Sequence, residues 1–246
     1  MEENKHTSTL QSLLASPEKM LYRFEQLSQG VNVKERVIYL DEDISLQAAS
    51  YIKERAYLIA ELSEDSTSPI TLQISSYGGD AYGALAVIDT LILLPMPINT
   101  LVVGTAQSAG SIIAALATGK RQITANSYLM IHMLQVNYQG SINESQRDNE
   151  HFAGLNERVF NILAKQSNKP ASFWKSKSQF NLYLSAEQAL EYGLVDEVVA
   201  WEGQKRQIVD LKTLKSLRKK KDEVPQNPEA PSLKQKKKVQ AKKNNT

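Results

Sequence analysis

Cysteine is absent from this chain of 246 residues. The chain therefore has no disulfide, no thiolate metal ligand and no cysteine nucleophile. Long uncharged apolar runs are also missing, and the start MEENKHTSTLQSLLASPEKM has no apolar core behind a basic segment. A transmembrane helix needs about 20 predominantly apolar residues, and a signal peptide needs such a core. We therefore expect a soluble, unexported, cytoplasmic protein that has no membrane partner.

The net charge is +2, but positive and negative residues are distributed unevenly along the chain. Residues 212–246 hold twelve Lys or Arg and three Asp or Glu, a charge of +9, which leaves residues 1–211 at −7. Large apolar residues nearly vanish after Leu217, so burial cannot offset the entropy lost on ordering this tail. We expect disorder from about Lys219 onward. A basic tail could bind nucleic acid, but a solvated extension is the simpler interpretation, and we expect no nucleic acid partner.

Strand and helix patterns alternate through the middle of the chain. Apolar residues at helical spacing, interrupted at Pro17, predict an N-terminal helical arm over residues 1–31. The stretches RVIYL, ITLQIS, NTLVVG, RQIT and YLMIH then predict strands, with helical patterns between most of them. A long helix over about 143–166 follows, and then a short helix that ends at Gly193 before a last strand. The alternation predicts an α/β fold with a largely parallel sheet in residues 32–211, before the basic tail 212–246.

Three predicted strand ends carry residues suited to acyl transfer. Residues 76–80 (SYGGD) follow the second strand, residues 104–110 (GTAQSAG) follow the third, and His132 follows YLMI. A serine hydroxyl needs a base at neutral pH, and histidine has a suitable pKa. The N–H groups of the glycine turn and of the residue after the serine could stabilise an oxyanion. The other two histidines are His6, in the predicted arm, and His151, on the long helix, so His132 is the candidate base.

Each of these residues also has an ordinary structural interpretation. A serine at a helix start is most often an N-cap, and paired glycines signal a turn. A lone histidine is more often a hydrogen-bonded core residue than a base. No ligand cluster with metal spacing and no G-x-x-x-x-G-K-[ST] loop occurs in the sequence, so we expect neither a metal nor another cofactor.

Four blocks, in the same order and at nearly the same spacing, resemble the proteolytic subunit of the Clp protease, ClpP. They are ISSYGGDAYGALAVIDTL, GTAQSAGSIIAALATGKRQITANSYLMIH, QGS and LSAEQALEYGLVDEVV, within residues 36–199. The resemblance implies the ClpP/crotonase-like fold, with repeated β-β-α and βαβ units and a projecting handle helix. It also implies a serine endopeptidase with Ser108 as nucleophile, His132 as general base, and the amides of Gly79 and Ala109 as the oxyanion hole.

The resemblance further implies an assembly. ClpP subunits form heptameric rings that stack as a tetradecamer, and an AAA+ unfoldase feeds unfolded polypeptide into the enclosed chamber. The long helix after Gly140 would be the handle that joins the two rings. The strand near residues 138–140 would pair with the substrate backbone.

The sequence departs from the family pattern at two positions. The family's catalytic aspartate lies eight residues before the serine of the SAEQA block, Ser185, and this chain has Lys177 there. No Asp or Glu occurs between positions 157 and 187. Loss of that aspartate costs a serine protease roughly 10⁴ in turnover. The second departure, Tyr77 in place of the family's usual proline, leaves both glycines of the turn.

Three other residues could orient His132 in place of the missing acid: Asn181, Asp148 and Asp80. Two alternatives to an active protease also stay open. The chain could be a catalytically impaired ring subunit with a structural role, as Lys177 suggests. It could also be a crotonase-like acyl-CoA enzyme, because that superfamily shares the fold and a paired N–H oxyanion hole, although fold alone does not set function.

Overall fold

The structure is a computed structural model that describes residues 30–63, 65–135, 141–202 and 205–222. The chain divides into two compact units, residues 1–211 and 212–246. The predicted N-terminal helical arm lies outside the described residues, except for Gly30 and Val31, which form a turn and the start of the first strand. In the described part of the chain, no helix combines the length and the apolar character needed to cross a membrane.

The strands of the described residues form one mixed sheet. Their bounds are β1 (Val31–Asn32), β2 (Val37–Leu40), β3 (Ile70–Ser76), β4 (Ile98–Gln107), β5 (Arg121–Thr124), β6 (Tyr128–Ile131), β7 (Leu182–Ser185), β8 (Glu197–Glu202) and β9 (Lys205–Asp210). The sheet order is β1-β2-β3-β4-β5-β8-β9, and β6 lies beside β4 and β7. Strands β2, β3, β4, β5, β6 and β8 pair in parallel, while β1, β7 and β9 pair antiparallel with β2, β6 and β8. The predicted α/β fold with a largely parallel sheet is confirmed.

Six helices of the first unit accompany this sheet among the described residues. They are α1 (Leu46–Glu61), α2 (Ala81–Leu93), α3 (Ala109–Ala114), α4 (Ile142–Gln166), α5 (Ala171–Lys177) and α6 (Ala186–Glu191). Helix α4 begins with a capping box of Ser141 and Glu144, and α6 begins with one of Ser185 and Gln188. Gly193 has a positive φ of 75° just past α6, which confirms the predicted end of that helix.

The last described helix is α7 (Leu211–Asp222), which begins at the last residue of the first unit and otherwise belongs to the second. This helix continues three residues past Lys219, where the predicted disorder begins, because lysine and arginine are good helix formers. The remaining residues of the predicted disordered tail lie outside the described part of the chain.

The core consists mainly of the central strands and the helices next to them. Alternate residues of β3, and of β4 from Ile98 to Val102, are buried, as period-2 burial of one sheet face requires. Helices α1 and α2 pack against each other, α2 packs against α3, and α4 packs against α5. The largest fully buried side chains include Trp174, Phe160, Leu72, Ile74 and Ile98.

The length of β4 positions the candidate site. Its residues Thr100–Val102 pair with β5, and its residues Thr105–Gln107 pair with β6. Strand β4 changes its pairing partner from β5 to β6 between these two stretches, where Gly104 has a φ of 80°. The carboxyl end of β4 therefore extends past β5 and lies beside the carboxyl end of β6. In parallel α/β sheets, this is the edge where loops carry functional residues.

Candidate active site

Ser108 and His132 meet where β4 and β6 end together. The register pairs Gln107 with Met130, and the amide N–H of Ser108 donates to the Met130 carbonyl oxygen at 2.7 Å. Each candidate residue lies just beyond its strand, 24 residues apart in sequence. The Nε2 atom of His132 is 2.7 Å from the Oγ atom of Ser108, a full hydrogen bond.

The backbone of Ser108 shows that its side chain does not cap α3. Ser108 occupies the N-cap position, but it makes no side-chain capping bond, and its φ of 50° lies in the left-handed region that non-glycine residues seldom adopt. Such a conformation persists only where the surroundings enforce it, and it is typical of functional sites. A sharp strand-to-helix turn that presents a hydroxyl matches the geometry of a nucleophile elbow. The ordinary N-cap interpretation is therefore wrong for Ser108.

The glycine turn packs directly against Ser108. A Cβ atom on Gly78 would lie 2.7 Å from the Gln107 carbonyl oxygen and 2.8 Å from the Ser108 Cβ, so no other side chain fits there. A Cβ atom on Gly79 would lie 2.7 Å from the backbone nitrogen of Ile44. Two backbone hydrogen bonds of 2.8 Å, from Ile44 N–H to Gly78 and from Asp80 N–H to Ile44, fix this turn.

Two amide groups remain available beside the serine. Gly79 and Ala109 both line the space around Ser108, and neither amide N–H donates to an acceptor among the described residues. Paired free N–H groups next to a hydroxyl can stabilise an oxyanion that forms on an attacked carbonyl. The structure thus brings together all four residues that the resemblance assigned to the site.

The imidazole of His132 is part-buried, and this burial lowers the pKa of His132 below its ordinary value. Desolvation disfavours the charged imidazolium, so the ring is neutral at neutral pH and can accept a proton. Across the described residues, Ser108 is the one hydrogen-bond partner of the ring, and no carboxylate contacts it. The candidate base His132 therefore has no acid beside it among these residues.

The four positions considered for the third catalytic group lie in different places. Asp80 lines the cleft around Ser108, but its carboxylate accepts from the Gly83 N–H at 2.7 Å and caps α2. Asn181 also lines this cleft, and its Nδ2 atom lies 3.5 Å from the Tyr183 hydroxyl oxygen. Asp148 on α4 and Lys177 at the end of α5 are exposed and stand outside the described lining of the cleft.

An open cleft of about 660 Å³ surrounds the Ser108–His132 pair. Tyr77, the residue in place of the usual proline, stands at its rim with a side chain that is 75% exposed. A second, smaller pocket of about 20 Å³ also has Ser108 and His132 in its lining, which is mostly apolar. Leu85, Ile112 and Val159 contribute to that lining. The pair thus lines both an open cleft and a small apolar pocket.

Helix α4 makes two contacts near the site that the sequence did not predict. The side chain of Asn156 accepts a hydrogen bond from the Leu134 N–H at 2.9 Å, two residues beyond His132. The Nε2 atom of His151 lies 2.6 Å from the Tyr82 hydroxyl near the start of α2. No sequence pattern signals either contact, because each joins residues that are distant in the chain. His151 is exposed, as predicted for a solvated helix face, yet it is hydrogen-bonded.

The predicted substrate-pairing strand at residues 138–140 lies outside the described residues. Within the described ranges, no group of three or more His, Cys, Asp or Glu residues could hold a metal ion.

Comparisons of the chain with known proteins give a matching family model and a similar bacterial protein. The family model described as Clp protease matches residues 24–202. The chain is also 34% identical, over 168 residues, to the ATP-dependent Clp protease proteolytic subunit 1 of Salinibacter ruber (strain DSM 13855 / M31). That alignment covers 68% of this chain and 71% of the bacterial protein. The mixed sheet with its accompanying helices agrees with the ClpP fold that the sequence resemblance implied.

Proposed function

Because this chain belongs to the Clp protease family, we propose that it is a cytoplasmic serine endopeptidase subunit that hydrolyses unfolded polypeptides. Ser108 is the proposed nucleophile and His132 the proposed general base. The observation that carries the proposal is the 2.7 Å contact between Ser108 Oγ and a histidine whose pKa is lowered by burial. A neutral imidazole at hydrogen-bond distance is what activation of a serine hydroxyl requires.

In the acylation step, the Ser108 oxygen attacks the scissile carbonyl carbon while its proton moves to His132 Nε2. The negative charge that develops on the carbonyl oxygen is stabilised by the N–H groups of Gly79 and Ala109. The C–N bond then breaks, and His132 returns the proton to the leaving amine. The result is an acyl ester on Ser108 and a released amine product.

Deacylation repeats these steps with water. His132 takes a proton from the water as its oxygen attacks the ester, and the same two amides stabilise the second oxyanion. The ester bond to Ser108 breaks, and the proton returns to the serine oxygen. Atoms and charge balance with water as the one co-reactant, so the chemistry needs no cofactor.

The third catalytic group is the weakest part of this proposed machinery. Asn181 is the best placed of the alternatives, since it lines the same cleft and its amide oxygen could accept the Nδ1 proton of His132. Unlike a carboxylate, it would not neutralise the imidazolium. Asp80 is committed to its helix cap, and Asp148 is exposed outside the cleft. Turnover below that of a complete triad follows from this arrangement.

One observation favours a second candidate, a ring subunit with impaired catalysis and a structural role. No carboxylate of the described residues contacts His132, which is the arrangement expected if the acid has been lost. The acyl-CoA alternative has no such support, because the family match is to proteases. Co-purification with an intact partner subunit would favour the impaired subunit.

The proposed assembly follows the family, whose members form oligomers. We propose heptameric rings of this chain that stack as a tetradecamer and receive substrate from an AAA+ unfoldase. Helix α4 suits the role of handle, because its 25 residues span about 37 Å and its first two turns are largely exposed.

Degradation of an unfolded protein by the purified chain tests this function. Unfolded casein and short fluorogenic peptides should be cleaved by the wild type and left intact by the Ser108→Ala variant. Analytical ultracentrifugation should give the same oligomer for both proteins. Equal cleavage by both would trace the activity to a contaminant and sink the proposal, while no cleavage by a correctly assembled wild type would favour the structural subunit.

A further inference from the structure

The backbone that carries His132 leaves the sheet before it reaches the imidazole. Strand β6 ends at Ile131, whose partner on β7 is Leu182, and residues 132–135 belong to no strand. The sheet ladder that fixes Ser108 through Met130 therefore does not fix the segment 132–135. Other contacts must hold the imidazole in hydrogen-bond range of the serine.

Two hydrogen bonds hold the segment just after His132. The Met133 N–H donates to the Ser178 carbonyl oxygen at 2.9 Å, a backbone contact that any residue at position 178 could provide. The Leu134 N–H donates to the Asn156 Oδ1 atom, also at 2.9 Å. This second bond depends on the identity of one side chain, which reaches the segment from α4.

Asn156 interrupts an otherwise apolar stripe of α4. Leu155, Val159, Phe160 and Leu163 of this stripe are all buried. Asn156 itself is half-buried, and a polar group that loses part of its water is costly unless it is hydrogen-bonded. Both functions of the Asn156 amide have partners, because its Nδ2 atom donates to the Phe152 carbonyl oxygen at 3.2 Å while its Oδ1 atom accepts from the segment after His132. The two bonds together fix the orientation of the amide.

We infer that Asn156 is a positioning residue for the proposed base. By accepting the Leu134 N–H, it holds the segment that presents the His132 imidazole to Ser108. Positioning by Asn156 matters in this chain because no carboxylate among the described residues contacts the His132 ring at Nδ1. The inference rests on the proposed function, because it gives Asn156 a role in that same site.

Measurements of kcat and KM for peptide hydrolysis by three variants test whether Asn156 affects catalysis. Asn156→Leu keeps the size of the side chain but removes the acceptor, and kcat should fall by roughly ten- to a hundredfold, the scale of a small misplacement of a reacting group. KM should stay within about twofold, because both functions of the Asn156 amide are already hydrogen-bonded within the protein. Asn156→Asp keeps an acceptor oxygen and should retain kcat within about threefold of wild type. Asn161→Leu, the same change at an exposed position of α4, should have no effect.

Histidine NMR supplies a readout that does not depend on catalysis. The chain has three histidines, so protein labelled with ¹³C at the histidine Cε1 position should give three signals, and His132→Ala identifies one of them. In Asn156→Leu, the His132 signal should shift, and its titration midpoint should rise because the loosened ring regains water. The His151 signal should not change. Should Asn156→Leu fail to fold, Asn156→Ser makes the same test, since its shorter side chain cannot reach the Leu134 N–H.

The outcomes separate the inference from the proposed function. An unchanged His132 signal and an unchanged kcat in Asn156→Leu would overturn the positioning role alone. Equal losses in Asn156→Leu and Asn161→Leu, or no rescue by Asn156→Asp, would also overturn it. A wild type without peptidase activity, in which Asn156→Leu still moves the His132 signal, would refute the proposed function and support the positioning role.

Discussion

The loop that carries Ser108 and the segment that carries His132 come within 2.7 Å of each other, yet they are held to very different degrees. Ser108 is fixed by the sheet register, by a turn that admits only glycine at Gly78, and by the buried helix α3. The segment after His132 is fixed by two hydrogen bonds, and the ring lacks a carboxylate partner in the described part of the chain. The proposed nucleophile is therefore held mainly by local sterics, whereas the proposed base is held by a few contacts with residues that are distant in sequence.

The largest effect is expected on the serine side. Ser108→Ala should lower peptidase turnover by roughly 10⁶-fold, the scale for removal of a serine nucleophile. Its free energy of unfolding should stay within about 1 kcal/mol of wild type, because the Ser108 side chain makes no capping bond. Peptide assays and urea denaturation measure the two quantities. A large loss of stability would show that the hydroxyl is structural and contradict this view of the serine.

The rigidity of the nucleophile side can be broken at the glycine turn. Gly78→Ala places a methyl group against Gln107 and Ser108, and displacing the oxyanion donors should cost roughly 10²–10³ in kcat. Gly154→Ala is the matched control, since nothing lies within 4 Å of its added Cβ atom on α4. That change should stabilise the protein by about 0.5–1 kcal/mol and leave kcat unaltered. Wild-type activity in Gly78→Ala would refute the account of the turn.

The weakness of the base side can be repaired by restoring an acid. Lys177→Asp puts a carboxylate at the position where the sequence resemblance places the family's aspartate, next to Ser178, whose carbonyl oxygen accepts from the Met133 N–H. We expect kcat to rise at least tenfold, a part of the roughly 10⁴ that such an acid supplies in a complete triad. Lys175→Asp, nearby on α5, serves as a control for the charge change. Equal kcat values for Lys177→Asp and wild type would argue that position 177 does not face the imidazole.

The smallest expected effect is a displacement of the pH profile. Protonation of His132 removes the base, so kcat/KM should fall tenfold per unit once the pH drops below the pKa of this residue. Burial lowers the pKa of His132, so the base form survives to a lower pH than it would for an exposed histidine. Peptide hydrolysis measured from pH 4.5 to 8 should place the acid limb below the ordinary histidine value. An acid limb at or above that value would contradict a desolvated imidazole.

The sequence was sufficient to predict the parts of the fold and site that depend on local patterns. Strand-helix alternation predicts the parallel core, and the residues at strand ends point to Ser108 and His132 as candidates. The family resemblance adds Gly79 and Ala109, and the roles of all four residues stay predictions. The structure brings these four together because the motifs encode strand ends and turns. Short antiparallel elements, such as β9, were missed because their pairing is set by neighbours in the sheet rather than by a strong apolar pattern.

Contacts between distant residues could not be predicted. Asn156 reaches Leu134 across 22 positions, and its amide is indistinguishable in sequence from the exposed Asn161 on the same helix. The sequence suggests a capping role for Asp80, but only the three-dimensional arrangement shows that none of the described carboxylates contacts His132. Side-chain orientation, rather than fold, is the part of the site that the sequence left open.

The central claim is that Ser108 and His132 form a working pair without a carboxylate. Fluorophosphonate labelling of the assembled protein, followed by mass spectrometry, tests it most directly. We predict one adduct, located on Ser108, that disappears in the His132→Ala variant. No adduct on a correctly assembled wild type, or an adduct that persists in His132→Ala, would contradict the claim.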